Sequence, residues 1–376
     1  MRQQAPAPTV RYAGPGGEDA DPGGEAESPH VPAGRIRRMH APDAIRTDET
    51  PPTALAGLLD GLPPRQAAQA VDRLIGHYRG RTPTDAPVLR DRSDVAAYAA
   101  YRMPATFEAV RAALAAFHAR TPGWAPASHI DIGGGTGAAG WAVAATWPRG
   151  AHTTTVLDWA EPALTLGREL ARQAPSEALR TARWQRRAIG DGLALPDGTD
   201  LVTVSYVLGE LTEADRHAVV AEAARAARAV VLVEPGTPDG YLRIREARDR
   251  LLAAGLRIVA PCPHGALCPI EPGADWCHFA ARVRRSSLHR RVKGGSLPYE
   301  DEKFSYVAAV RFDAAPAAGR VVRRPQIRKG QVLLDLCGPE EGLGRTTVTK
   351  RQGPLYRAAR DVSWGDVWPP EEEPPR

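Results

Sequence analysis

The chain has 376 residues, 43% of them hydrophobic, enough to bury a sizeable core in one large domain or two smaller ones. No stretch approaches the ~18 uninterrupted apolar residues of a membrane span, and the opening MRQQAPAPTVRYAGPGG lacks the apolar run of a secretory signal, so a membrane partner is not expected and a cytoplasmic location is. The formal charge is +5 but uneven: Arg282 to Arg360 holds 18 Lys or Arg against 7 Asp or Glu, a local +11 on a remainder of −6.

Such asymmetry suggests a surface for a polyanion, RNA being the first candidate. Only four of the 49 basic residues are Lys, which points to compositional bias toward Arg; bias does not explain the uneven distribution.

In chain order, residues 1–50 are rich in Pro, Gly, Ala and charge without periodic apolar positions, and a disordered tail is expected there. From residue 51 to 127 the pattern is helical, with Leu55, Leu58, Leu59 and Leu62 in one segment and Phe107, Val110, Leu114 and Phe117 in another. Short apolar runs then alternate with helical ones: SHIDIG, TTTVLDW, LVTVSYVL, AVVLVEP, LRIVAPC and FSYVAAVRF. That rhythm predicts an α/β fold, a Rossmann-like, mostly parallel sheet covered by helices, over residues 128–312. A cysteine-bearing, basic insertion is expected at 262–303, a small β-rich extension at 313–368 and a short tail at 369–376.

The first strand runs into a glycine loop. His129-Ile130-Asp131-Ile132 leads to Gly133-Gly134-Gly135-Thr136-Gly137 and then to the helical AAGWAVAATW. Glycines at a strand-to-helix turn let backbone approach a ligand, and the helix start offers free N–H groups. Asp158 closes the next strand 21 residues after Gly137, where a carboxylate can accept from both ribose hydroxyls of an adenosine. Gly133, Gly135 and Ala138 also satisfy the dinucleotide pattern G-x-G-x-x-A, which leaves a dinucleotide-dependent redox enzyme as an alternative. Asp131 gives D-x-G-G-G-T-G, which resembles the first motif of class I methyltransferases and so implies S-adenosylmethionine, and an acid there is less apt beside a pyrophosphate, whose charge it would repel. The segment after the fourth strand, SYVLGEL, has no Asp/Asn-Pro-Pro-aromatic motif. Tyr206 and Glu210 could face a ligand or simply close the strand end, and no catalytic residue is assigned.

All four cysteines lie in the last third, spaced C-x5-C-x8-C with a 59-residue gap to Cys337. In a reducing compartment such clustering suits metal better than disulfides. Prolines around Cys262 and after Cys268 restrict the loop. Cys262, Cys268, Cys277 and Cys337 could take tetrahedral Zn²⁺ or a [4Fe–4S] cluster; structural zinc sites usually pair cysteines at C-x2-C to C-x4-C, so the spacing tilts toward iron and sulfur. His264 and His278 are neighbouring candidates for a zinc ligand. Beyond the third cysteine, Arg282, Arg284, Arg285, Arg290, Arg291 and Lys293 sit in FAARVRRSSLHRRVKGG, read as a helix with a cationic face for RNA phosphates.

Together PCPHGALCPI, DWCHF, LPYEDEKFSYV, LLDLC and YRAARDVSWGD resemble the Rsm-twenty-two family of methyltransferase-like proteins associated with the small ribosomal subunit, from about Tyr98 to Trp368. The resemblance implies a class I methyltransferase-like fold and association with small-subunit rRNA during assembly. It further implies a [4Fe–4S] cluster on Cys262, Cys268, Cys277 and Cys337, and a cofactor loop at Asp131 to Gly137. Residues 1–50 lack the Arg-rich, acid-poor character of a mitochondrial leader, so a bacterial setting is expected.

Overall fold

The computed structural model describes residues 92–284, 299–340 and 342–370, together with residue 69. The expected tail at 1–50, most of the helical lead-in before residue 92, and residues 371–376 lie outside the described residues.

The central sheet is built from β1 (Ser128–Ile132), β2 (Thr153–Asp158), β3 (Arg183–Arg186), β4 (Thr199–Ser205), β5 (Ala227–Pro235), β6 (Arg257–Ala260), β7 (Phe279–Arg284) and β8 (Tyr299–Val310). Its order is β3-β2-β1-β4-β5-β8-β6, with β7 on β8. Strands β1 to β5 are mutually parallel, and β8 runs antiparallel to β5, β6 and β7. This is the methyltransferase-like arrangement: a parallel α/β sheet with one antiparallel strand inserted near its edge.

The apolar runs are continuous because both faces are covered. Along β5, Ala229, Val231 and Val233 enter one core with α1 (Arg92–His118), α2 (Ala138–Thr146) and α3 (Glu161–Ala171). Val230 and Leu232 point the other way, into a core with α5 (Glu213–Ala226) and α6 (Pro238–Ala253); the short α4 (Glu177–Arg180) lies before β3. Helix α1 buries Phe107, Val110, Leu114 and Phe117, the stripe expected from their three- and four-residue spacing. Thr212 and Thr237 accept from the amides of Asp215 and Gly240, capping α5 and α6.

Strand order reverses between β1 and β4, and ligands of open α/β sheets bind outside the carboxyl ends of strands at such a point. The glycine loop after β1 and Tyr206 after β4 both lie there.

The cationic helix expected after Cys277 is corrected at its start. Phe279–Arg284 is β7, with Phe279, Ala281 and Val283 buried and Arg282 and Arg284 exposed. A period of two, paired residue by residue with β8, overrides the helix preference of Ala and Arg. Arg285, Arg290, Arg291 and Lys293 lie outside the described residues.

A second, antiparallel sheet holds β9 (Arg320–Val321), β10 (Gln326–Arg328), β11 (Gln331–Gly338) and β12 (Gly342–Thr349), in the order β10-β11-β12 with β9 also on β11. A 3₁₀ turn (Lys350–Gln352) and α7 (Pro354–Asp361) follow. The helix was not anticipated. Its Ala359 closes a small core of Val321, Val332, Leu334, Val348 and Trp368. With so few residues in that core, Leu334→Ala should destabilise it by about 2–5 kcal/mol. Urea unfolding of the purified variant checks this; an unchanged midpoint would contradict the packing.

Candidate cofactor loop and cysteine cavity

After β1 the chain turns under the end of β2. Gly133 and Gly134 donate to the Leu157 carbonyl at 2.8 and 3.2 Å, and Gly137 donates to Gly134 at 2.7 Å. Gly133, Gly135 and Gly137 have φ of 67°, 52° and 85°, values that favour glycine. The four glycines are required for different reasons. A Cβ at Gly133 would lie 2.6 Å from Val207, at Gly134 2.4 Å from Asp131, and at Gly137 2.6 Å from Trp184, so the protein's own packing excludes side chains there. At Gly135 the nearest atom would be Asp158 Oδ2 at 3.8 Å, leaving an open cradle beside a carboxylate. Thr136 is buried between.

Asp158 organises this corner. Its Oδ2 accepts from Gly135 N–H and its Oδ1 from Ala160 N–H, both at 2.8 Å. Burial raises its pKa, and those amides oppose the rise. Each carboxylate oxygen retains a lone pair that can accept again, which is the acceptor set a ribose diol requires.

Asp131 lies beneath the loop, fully buried. Thr203 Oγ1–H donates to its Oδ1 at 2.8 Å while Oδ2 has no partner. Burial above all pushes its pKa up to about 7. His129 Nε2 lies 2.8 Å from Thr203 Oγ1, and burial, then His152, lowers the imidazole to about 3. With the threonine proton given to an ionised Asp131, His129 must be the Nε2–H tautomer. Sequence reading missed His129 and Thr203. The signal was available in SHIDI, where two polar residues share one face of a buried strand.

Tyr206, at the end of β4, has φ 61°, the one positive value at a non-glycine among the described residues. Its hydroxyl donates to Glu302 at 3.0 Å, and Arg102 lies over its ring at 5.1 Å and 3.4 Å from Glu302. Neighbouring Leu208 N–H is held by buried Glu234, itself paired with Arg243 at 2.7 Å. Glu210 is exposed in the 3₁₀ turn Leu208–Glu210.

The four cysteines, all free thiols, line one cavity of about 40 Å³, more than a single water requires. Cys262 follows β6, Cys268 and Cys277 lie in the irregular stretch before β7, and Cys337 arrives on β11 of the second sheet. Side chains from α6 fix the loop: Arg248 donates to the carbonyls of His264 and Ala266 at 3.0 and 2.6 Å, and Arg245 to that of Ile270 at 2.6 Å. Arg320 of β9 donates to Pro261 at 3.0 Å and to Gly365 at 2.9 Å. Tyr241 lies 3.3 Å from Cys268 Sγ, and His264 Nε2 3.6 Å from Cys337 Sγ. His278 is stacked on Trp276 and edge-on to Trp364.

The thiols feel one another. Burial first, then Cys262 and Cys268, pushes Cys337 up to about 12, and burial with the other three thiols raises Cys277 well above the usual range. A shared cation would reverse this, since a coordinating metal deprotonates a thiol outright. Buried Arg248 Nε, Arg320 Nη2 and His264 Nδ1 have no partner and belong to residues lining the same cavity. The two guanidinium donors suit an anionic thiolate centre, while burial and then Arg248 lower the pKa of His264 and disfavour its charged form. Neither Arg248 nor Arg320 was anticipated, because each lies far in sequence from the cysteine it approaches.

Of the basic residues expected to meet RNA, Arg282 is exposed but engaged, paired with Asp301 and stacked at 4.0 Å over Tyr299. Arg284 is exposed at the end of β7.

Residues 92–369 match the family model described as mitochondrial small ribosomal subunit Rsm22. The human mitochondrial ribosome assembly protein METTL17 is 28% identical over 289 residues, 72% of this chain and 62% of the human protein. The mitochondrial Rsm22-cox11 tandem protein 2 of Schizosaccharomyces pombe is 33% identical over 184 residues, 38% of this chain and 24% of that one. The chain thus spans under two thirds of either relative. Among solved structures, the plantazolicin methyltransferase BpumL with SAH aligns at 12% identity and TM-score 0.38, covering 69% of this chain and 99% of the other. A SAM-dependent methyltransferase of Aquifex aeolicus gives 14% and 0.36, covering 59% and 100%. The fold assignment rests on the strand order above. The expected bacterial, cytoplasmic setting is corrected: these curated relatives are mitochondrial proteins, and residues 1–50, on which the expectation rested, lie outside the matched span. By its match over residues 92–369, the chain belongs to the family described as mitochondrial small ribosomal subunit Rsm22.

Proposed function

We propose that this protein acts in assembly of the small ribosomal subunit, holding rRNA on its basic surfaces, S-adenosylmethionine at the glycine loop and a [4Fe–4S] cluster on its cysteines. The observation that carries the reading is the convergence of Cys262, Cys268, Cys277 and Cys337, from two sheets, on one cavity in a chain of this family. METTL17 is named a ribosome assembly protein. The chain divides accordingly into a methyltransferase-like part at 128–312 and an extension at 313–368, joined at the cavity.

In this reading the cluster supplies a covalent tie among four thiolates, and the chain supplies its surroundings. Arg248 and Arg320 offset thiolate charge, Tyr241 donates toward Cys268, and His264 lies against Cys337. The long spacings C-x5-C-x8-C favour the cluster over zinc. At the loop, Gly135 gives backbone access and Asp158 accepts from the ribose. Methyl transfer to a ribosomal acceptor is the second reading, favoured by that cradle. A scaffold that binds rRNA without catalysis is the alternative, favoured by the lack of an acceptor motif in SYVLGEL and by the Tyr206–Glu302–Arg102 contact at the end of β4.

Protein purified without oxygen should be brown and contain iron and acid-labile sulfide in equal amounts; colourless protein with one zinc would replace the cluster assignment and leave the fold intact. Cys337→Ser should lose the iron and open residues 313–370 to protease, and unaltered protease sensitivity would count against the tie. Asp158→Ala should weaken S-adenosylmethionine binding about tenfold or more by calorimetry, the worth of a hydrogen bond to a charged group. If the wild-type protein takes up no cofactor, the loop reading fails.

A further inference from the structure

The second sheet carries a cationic surface distinct from the Arg282–Lys293 segment. Arg320, Arg323, Arg324 and Arg345 of this sheet are engaged, with carbonyls of Pro261 and Gly365 or with Asp275, Asp301 and Asp335. Arg328, Lys329, Lys350, Arg351 and Arg357 are all exposed, and among the described residues none of them has an ion pair.

Three separate segments bring these five cations to one end of the sheet. Arg328 pairs with Gln331 across the tight turn through Lys329 and Gly330, and Gln331 pairs in turn with Thr349. Lys350 N–H then donates to the Gly330 carbonyl at 2.9 Å, joining the two basic dipeptides through backbone. Thr349 and Gln352 form a capping box that fixes the 3₁₀ turn carrying Lys350 and Arg351. Helix α7 packs Ala359 inward and leaves Arg357 exposed on its outer side. The opposite end of the β11–β12 hairpin carries acidic Glu340, so the sheet is polarised along its strands.

Like charges held together on rigid backbone, without acidic partners, are unfavourable unless a polyanion neutralises them. Resting on the RNA reading above, we propose that this end of the second sheet is a docking surface for the phosphate backbone of RNA, with Arg328, Lys329, Lys350, Arg351 and Arg357 as its contacts. Exposed Ile327 beside it gives an apolar contact for a sugar face. The surface lies six residues along β11 from Cys337, about 20 Å at strand rise.

The test uses the full-length protein and a fluorescent fragment of small-subunit rRNA, with anisotropy measured across a salt series. The variant Arg328→Gln/Lys329→Gln/Lys350→Gln/Arg351→Gln should bind about tenfold or more weakly, and its log K against log salt should flatten by about one for each phosphate no longer neutralised. The milder Lys350→Gln/Arg351→Gln should show part of that change with an unaltered melting temperature. Lys350→Arg should retain binding, and Glu340→Gln at the far end should leave the slope unchanged. Wild-type affinity and slope in the fourfold variant would overturn the surface alone; wild-type protein that binds no RNA would overturn the RNA reading itself. Loss of binding to phosphatidylserine vesicles with RNA binding intact would reassign the surface to a membrane.

Discussion

The junction between the two sheets is set by Arg320, by the ion pairs Arg323–Asp275 and Arg324–Asp301, and by the side chains that line the cysteine cavity. Arg320 starts β9, and its guanidinium reaches back to the carbonyl that follows β6 and across to Gly365. A lysine could not replace it, because one ammonium lacks the planar fork that addresses two carbonyls in different directions. Around this fork Cys337 comes beside His264, and loops without regular structure gain a fixed shape from α6 and β9. The C-terminal sheet has a small core of its own, so its placement rests on this junction.

At the carboxyl ends of β1 and β4, packing and ligand access make separate demands on neighbouring residues. Gly133, Gly134 and Gly137 are glycines because Val207, Asp131 and Trp184 occupy the space a side chain would take. Gly135 alone of the four faces open space, and Asp158 already orders its amide. A ligand entering there meets a loop whose shape is set by intramolecular bonds, which lowers the ordering cost of binding.

Much of this was legible in the chain. The apolar runs mapped onto strands because a parallel sheet covered on both sides needs uninterrupted Val, Ile and Leu, as in Val230 to Val233. The glycine loop with Asp158 was legible because strand, turn and helix are contiguous. The basic stretch after Cys277 misled, since its Ala and Arg content suits a helix while alternating burial against β8 makes Phe279–Arg284 a strand. Helix α7 was hidden because its apolar face is short and closes only a small core. The buried arginines and Thr203 could not be read because their meaning depends on partners 16 to 74 residues away, whereas His129 and Asp131 left a signal as two polar residues on one face of a buried strand. The expected cellular setting rested on composition outside the matched residues 92–369, and the mitochondrial relatives overturn it.

The buried arginines also set a condition of electroneutrality. Were all four sulfurs ionised on a shared centre, they would bring four negative charges into a region shielded from water, where uncompensated charge is costly. The guanidinium groups of Arg248 and Arg320, each 3% exposed, return two positive charges, with Asp249 touching Arg248 only at the rim. In the proposed reading a dipositive inorganic core, whether a zinc ion or an oxidised cubane of iron and sulfide, would complete the balance. Adding one electron to such a core would leave the interior net negative, and the two arginine cations would offset part of that charge, so they would favour the more reduced state of any redox-active group held there.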